Sequence, residues 1–186
     1  ASITNESLLM DYVLKHTKDP QEKLSLLGNE LETFRTTLFR QTQFAEFELK
    51  IHQLAEKGQA LTGAKLSKIY LDILKKYYGA DEGITKIEDL YSIEWAYIPH
   101  FYYNFYVFQY ATSLCAAAMA SQKILAEGQP MAQKYIHNFL SAGDSQYPIP
   151  ILKSIGIDMT TPQPFNAAMQ KMSRIMDEIE RILAKK

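Results

Sequence analysis

His100, Tyr103, Tyr106 and Tyr110 stand in a segment, IPHFYYNFYVFQYATSLCAAA (98–118), that carries seven aromatic residues between Phe101 and Tyr110. On a helix turning about 100° per residue these four side chains fall in one arc, and Phe101, Phe105 and Phe108 in another. A helix that needed only to be buried could use Phe throughout. Separating polar-tipped rings from plain ones puts a row of imidazole and phenol hydrogen-bond donors on one face, where they can serve a bound ligand. The same row can be satisfied inside a core, each hydroxyl finding a carbonyl and His100 capping a turn after Pro99. On pattern alone that second reading carries the greater weight.

The other candidates are weaker. The four histidines, His16, His52, His100 and His137, are scattered, and none pairs with another at helical spacing, so no zinc or di-iron motif is complete. Glu48, His52 and Glu56 form a stripe at steps of four, the pattern of a solvated helix face. Cys115 lies between Leu114 and Ala116 with no basic neighbour, which points to a buried, inert thiol. No serine sits in a nucleophile elbow, and AGDSQYP (142–148) has one glycine, too few for a phosphate loop.

The elements that must position these residues read as helices. Apolar residues recur at helical spacing from Ile3 to about Thr17, and Asp19-Pro20 supplies an N-cap and a first-turn proline for a second helix. From Gln21 to Gly58 no proline interrupts the pattern, which predicts one long helix or two in series. Thr62 caps a third helix that ends at Tyr77-Tyr78-Gly79, and Ala80 to Glu94 reads as an irregular excursion. The spacing predicts helix after Pro99 continuing to Gly128, then shorter helices from Pro130 to about Ala142 and up to Ile155-Gly156. Phe165, Met169, Met172, Met176, Ile179 and Leu183 predict a core-facing stripe on a last helix. No period-two alternation or repeat occurs, so the expected fold class is all-α, a single helical domain over 1–186.

Composition bounds the function. With 186 residues, 47% of them hydrophobic, the chain can bury a core. Twenty Lys and Arg against 21 Asp and Glu give no bias toward nucleic acid or an anionic membrane, and no apolar stretch approaches the roughly 20 residues a membrane helix needs. One cysteine permits no internal disulfide, and a cytoplasmic location is expected. The first residue is Ala1, and helical spacing begins at once, as if the chain belonged to something longer.

Five segments taken together resemble the oligoendopeptidase F group of thimet oligopeptidase-type zinc peptidases: ASITNE (1–6), FRQTQFAEFE (39–48), YYG (77–79), IPHFYYNFYVFQYATS (98–113) and YPIPILKSIGIDMTTP (147–162). They run in order along nearly the whole chain. The resemblance implies the C-terminal, multi-helix portion of a catalytic domain that cleaves short peptides. In that family zinc is held by a His-Glu-x-x-His helix and by a Glu in a run resembling Glu-x-Ala-Ser-x-x-Asn-Glu. Ala1-Ser2 and Asn5-Glu6 match its second half, which puts the ligand two residues before Ala1. Zinc is thus implied for the full-length enzyme, with no metal ligand in this chain and no zinc expected at its catalytic site, and the upstream part of the same protein is the implied partner.

The resemblance also implies roles. His100 would contact the substrate backbone, Tyr110 would donate to the oxyanion, and Tyr103, with Tyr106 as the alternative, would touch substrate or transition state. Glu6 would support a zinc-binding histidine from behind; the lesser alternative is an ordinary acid favourable to a helix N-terminus. Phe39, Phe44 and Phe47 would brace the catalytic helices. The isolated chain is expected to be inactive, and to expose an apolar patch near Tyr103 to Tyr110 through which it self-associates. The rival reading is a non-enzymatic helical module that at most binds a peptide.

Overall fold

The computed structural model describes residues 1–184. Among them are eight α-helices and no strand: α1 (Ser2–His16), α2 (Pro20–Thr33), α3 (Arg40–Glu56), α4 (Gly63–Tyr78), α5 (Phe108–Glu127), α6 (Gln129–Asn138), α7 (Pro148–Ser154) and α8 (Gln163–Leu183). The fold class is therefore all-α. Between α2 and α3 the chain stays helical through a π-helical stretch, Phe34–Phe39, so the predicted long run from Gln21 to Gly58 is present as two helices in series. Two compact units form: one comprises Ala1–Arg35 and the chain from Thr112 onward, the other Thr36–Ala111.

The first unit is built on small side chains. Ala116 and Ala120 of α5 are buried with Met131 and Tyr135 of α6 and with Ile155 and Ile157, a packing that alanines permit by letting backbones approach closely. The ring of Tyr135 stacks on Phe139 with centroids 5.4 Å apart, and its hydroxyl donates to the Asn5 side chain at 3.3 Å. On α8, Lys171 pairs with Glu30 and donates to Ser7 at 3.0 Å. The expected core stripe of α8 is corrected here. Phe165, Met176 and Leu183 are about half exposed, and the buried line is Pro164, Ala168, Ile175, with the mostly buried Lys171 between them. The contact face is set by the small Ala167 and Ala168, where Gln122 of α5 donates to the Ala167 carbonyl at 2.8 Å, and it is rotated from the largest apolar side chains.

The second unit has an aromatic core. Phe44 and Phe47 of α3 meet Tyr70, Ile73 and Leu74 of α4, with Phe47 edge-on to Tyr70 at 5.3 Å. Phe44 and Phe47 are thus interior, whereas Phe39 is 40% exposed. The α4 helix is bounded as its sequence predicts, by Thr62 accepting from the Lys65 N–H and by Gly79 in the left-handed region at φ 61°. The excursion after it is less irregular than expected, because Asp89–Tyr97 forms a 3-10 helix. The buried Glu94 in that turn accepts from the Tyr70 hydroxyl and pairs with Arg40, and Gln43 donates to Tyr70 at 3.3 Å. Trp95 donates to Ser67 at 3.1 Å. These polar links tie the 3-10 segment to α3 and α4 and so fix where the chain enters the aromatic stretch.

Candidate functional site

The aromatic stretch is not one helix. Pro99–Tyr102 forms a single 3-10 turn, residues 103–107 are irregular, and α5 starts only at Phe108. Asn104 and Phe105 both take positive φ, 48° and 60°. Asn tolerates that region, whereas a bulky residue such as Phe rarely enters it, at a cost of about 1–2 kcal/mol. Helical periodicity therefore does not arrange these rings. Phe101 does pack in the core beside Phe44 and Phe47, but Phe108 is 47% exposed.

The cluster that the helical wheel proposed is nevertheless real, made by a chain reversal instead. His100 and Tyr103 lie on one arm, Tyr106 and Tyr110 on the other. The His100 Nε2 and the Tyr110 hydroxyl share a hydrogen bond of 3.0 Å, its donor set by the imidazole tautomer. Around them His100 faces Tyr106 in near-parallel planes at 6.0 Å, and Tyr103 and Tyr110 present their edges to it at 6.3 and 5.5 Å. Tyr106 contacts both other tyrosines, at 6.1 and 5.6 Å. Tyr103 is 61% exposed and Tyr106 41%, while His100 and Tyr110 are half-buried. Burial first, then the hydrogen bond and charge of Tyr106, push the Tyr110 phenol above its ordinary value. It is a neutral donor at neutral pH, with one edge of the cluster open to solvent. Tyr97 and Tyr102, close by in sequence, are also exposed.

The reversal is held from α3. Glu48, read from sequence as part of a solvated stripe, is 1% exposed, and its Oε1 accepts the Phe105 N–H at 2.8 Å. The correction has a visible cause: Glu48 lies one helical step of four from Phe44, hence on the same buried face, and only Glu56 of the stripe is solvated. His52 is half-buried, with its ring 4.5 Å from that of Phe105. A hydrogen bond to a charged group, worth about 1.5–3 kcal/mol, is large enough to offset the cost of the left-handed Phe105. Glu48 is the candidate the sequence reading set aside as solvated, and its spacing from Phe44 in FAEFE was the available signal of burial.

Glu6 belongs to the first unit. It is exposed on α1, accepts from the Ser2 hydroxyl at 2.7 Å, and borders a cavity of about 310 Å³ whose polar end holds Glu30, Lys171 and Ser7. Cys115 is buried, and burial raises its thiol above the usual range, as an inert thiol should be. Among the described residues no three His, Cys, Asp or Glu side chains are grouped so as to hold a metal ion. No described helix is long and apolar enough to cross a membrane.

Comparison with known proteins adds to this geometry. The model of Peptidase family M3 matches residues 1–171. The chain is 49% identical over 185 residues to "Oligopeptidase PepF" of Bacillus subtilis (strain 168), covering all of this chain and 27% of that protein. It is 42% identical over 186 residues to "Oligoendopeptidase F, plasmid" of Lactococcus lactis subsp. cremoris, covering 30% of it. The chain therefore spans less than a third of the length of these relatives. The crystal structure of oligoendopeptidase-F from Enterococcus faecium superposes with a TM-score of 0.91 at 39% identity, over all of this chain and 35% of that one. A putative peptidase from Chlamydophila abortus does so at 0.87 and 43%, over 98% of this chain and 30% of that one.

Proposed function

Because this chain belongs to Peptidase family M3, we propose that it forms one wall of the active-site cleft of an oligoendopeptidase F-like zinc metallopeptidase that hydrolyses short peptides. The observation that carries this reading is the solvent-facing cluster built on the His100–Tyr110 hydrogen bond. With Nε2–H donating to the Tyr110 oxygen, the phenol proton is shared with Tyr106 alone and passes to a ligand oxygen that displaces that contact. A neutral phenol beside a peptide carbonyl donates to the oxygen as negative charge develops there, which is the task of an oxyanion donor. In this reading Tyr110 is that donor, His100 contacts the substrate backbone, and Tyr103 or Tyr106 closes on the substrate.

Zinc serves the whole enzyme in this reading, activating the attacking water. Its ligands are assigned to parts of the peptidase outside this chain, with Glu6 supporting a zinc-binding histidine. The chain alone is accordingly inactive, and the exposed tyrosines around Tyr103 favour self-association when it is isolated. The intact enzyme is cytoplasmic in this reading.

The deciding experiment is Tyr110→Phe in the intact peptidase. Removing one oxyanion donor lowers kcat by about 100- to 1000-fold while bound zinc stays at the wild-type level. Equal loss of kcat and zinc makes the tyrosine structural and overturns the reading. The gene sequence before Ala1 supplies a second check: a His-Glu-x-x-His motif and a subsequent Glu are expected there, and their absence removes the peptidase assignment.

A further inference from the structure

We infer that Glu48 is a positioning residue for the His100–Tyr110 cluster, fixing the chain reversal at Asn104 and Phe105 on which its geometry depends, with His52 steadying the Phe105 ring. The inference rests on the cleft reading under Proposed function, which supplies the task the cluster is positioned for.

A carboxylate at 1% exposure is expensive unless something compensates it, and no ion pair among the described residues includes Glu48. An apolar side chain of similar volume would fill this place at lower cost. What the carboxylate supplies instead is an acceptor for a single backbone donor, the Phe105 N–H, from 57 residues away. That amide sits in left-handed backbone between the arm bearing His100 and Tyr103 and the arm bearing Tyr106 and Tyr110. It is where a small movement swings the arms apart. Among the described residues the second oxygen, Oε2, is buried with no hydrogen-bond partner, and the side chain bonds Phe105 through Oε1. His52, one helical step on, rests its ring against that of Phe105 at 4.5 Å, giving the reversal a second fixed point. The bond of Glu48 is to the Phe105 backbone, not to a cluster side chain, so its action runs through the backbone.

The test uses the intact peptidase with four variants: Glu48→Ala, Glu48→Gln, His52→Ala and Tyr110→Phe. Hydrogen exchange across 103–107 is measured against exchange across 63–78, together with kcat and KM on a short fluorogenic peptide and zinc content. In Glu48→Ala, exchange across 103–107 rises about tenfold or more while 63–78 stays protected. Its kcat falls by about 100-fold, the effect of a roughly 1 Å misplacement, with zinc content unchanged. Glu48→Gln falls between wild type and Glu48→Ala in both readouts, because its amide oxygen accepts the same bond without the charge.

Unchanged exchange across 103–107 in Glu48→Ala overturns the inference, as does a Glu48→Gln variant that matches it. If Glu48→Ala loses protection across 63–78 as well, His52→Ala decides. Faster exchange confined to 103–107 with lowered kcat supports the inference, and no change in either overturns it. Should exchange match the expectation while kcat is untouched in both Glu48→Ala and Tyr110→Phe, the reversal is held as argued and the cleft reading is what fails.

Discussion

Tyr77 shows how one phenol couples this fold to pH. Its hydroxyl donates to Glu46 at 3.0 Å, and burial together with that carboxylate pushes the phenol up to about 12. The unfolded chain releases the same proton near pH 10. The folded state thus holds the proton more tightly, so this contribution to stability is complete below about pH 10 and is lost as pH rises toward 12. Urea unfolding measured across that range should show a shallower decline in Tyr77→Phe than in wild type. Tyr70, more deeply enclosed and donating to Glu94, is pushed higher still. At this scale the candidate site was half legible. His100, Tyr103, Tyr106 and Tyr110 declared themselves because polar rings are a poor choice for filling space. Glu48 did not, because an acid at helical spacing from a His and another acid looks solvated until the chain 57 residues later is laid over it.

Helix ends were legible wherever one residue performs the capping. Asp19 accepts from the Gln21 N–H ahead of Pro20, and Thr62 and Gly79 bound α4. Thr62→Ala should cost about 1 kcal/mol, read from the urea midpoint. Gly79→Ala should cost about 1–2 kcal/mol, because its φ of 61° disfavours any Cβ, and that Cβ would lie 2.8 Å from the Ile84 Cδ1. Two elements were misread, for different reasons. Residues 99–107 have helical aromatic spacing, yet the Phe105 amide bonds a side chain on α3 and takes left-handed backbone, so a tertiary contact overrode a local pattern. On α8 the largest apolar side chains drew the face, whereas the real contact line runs through Pro164, Ala168, Lys171 and Ile175, disguised by a lysine that pairs with Glu30.

For the molecule as a whole, each of the two units carries its own buried cluster, one rich in alanine and isoleucine, the other in aromatic rings. Phe47 is fully buried at the centre of the aromatic one, and Phe47→Ala should lower stability by about 3–5 kcal/mol in urea titration. If the tyrosine surface drives association, sedimentation of the isolated chain should show concentration-dependent dimers that weaken when Tyr102 and Phe108, 79% and 47% exposed, are both changed to serine. Helix content was legible because periodicity is local; the assignment of helices to units was not, since it depends on which distant faces meet. The bond from Glu48 to Phe105 belongs to that non-local class, and it has a consequence for the order of folding. Closing so long a loop costs chain entropy before any contact rewards it. The rings can gather only once α3 is in place to receive the reversal. A synthetic peptide of residues 98–113 would carry every aromatic side chain of the cluster and none of its geometry.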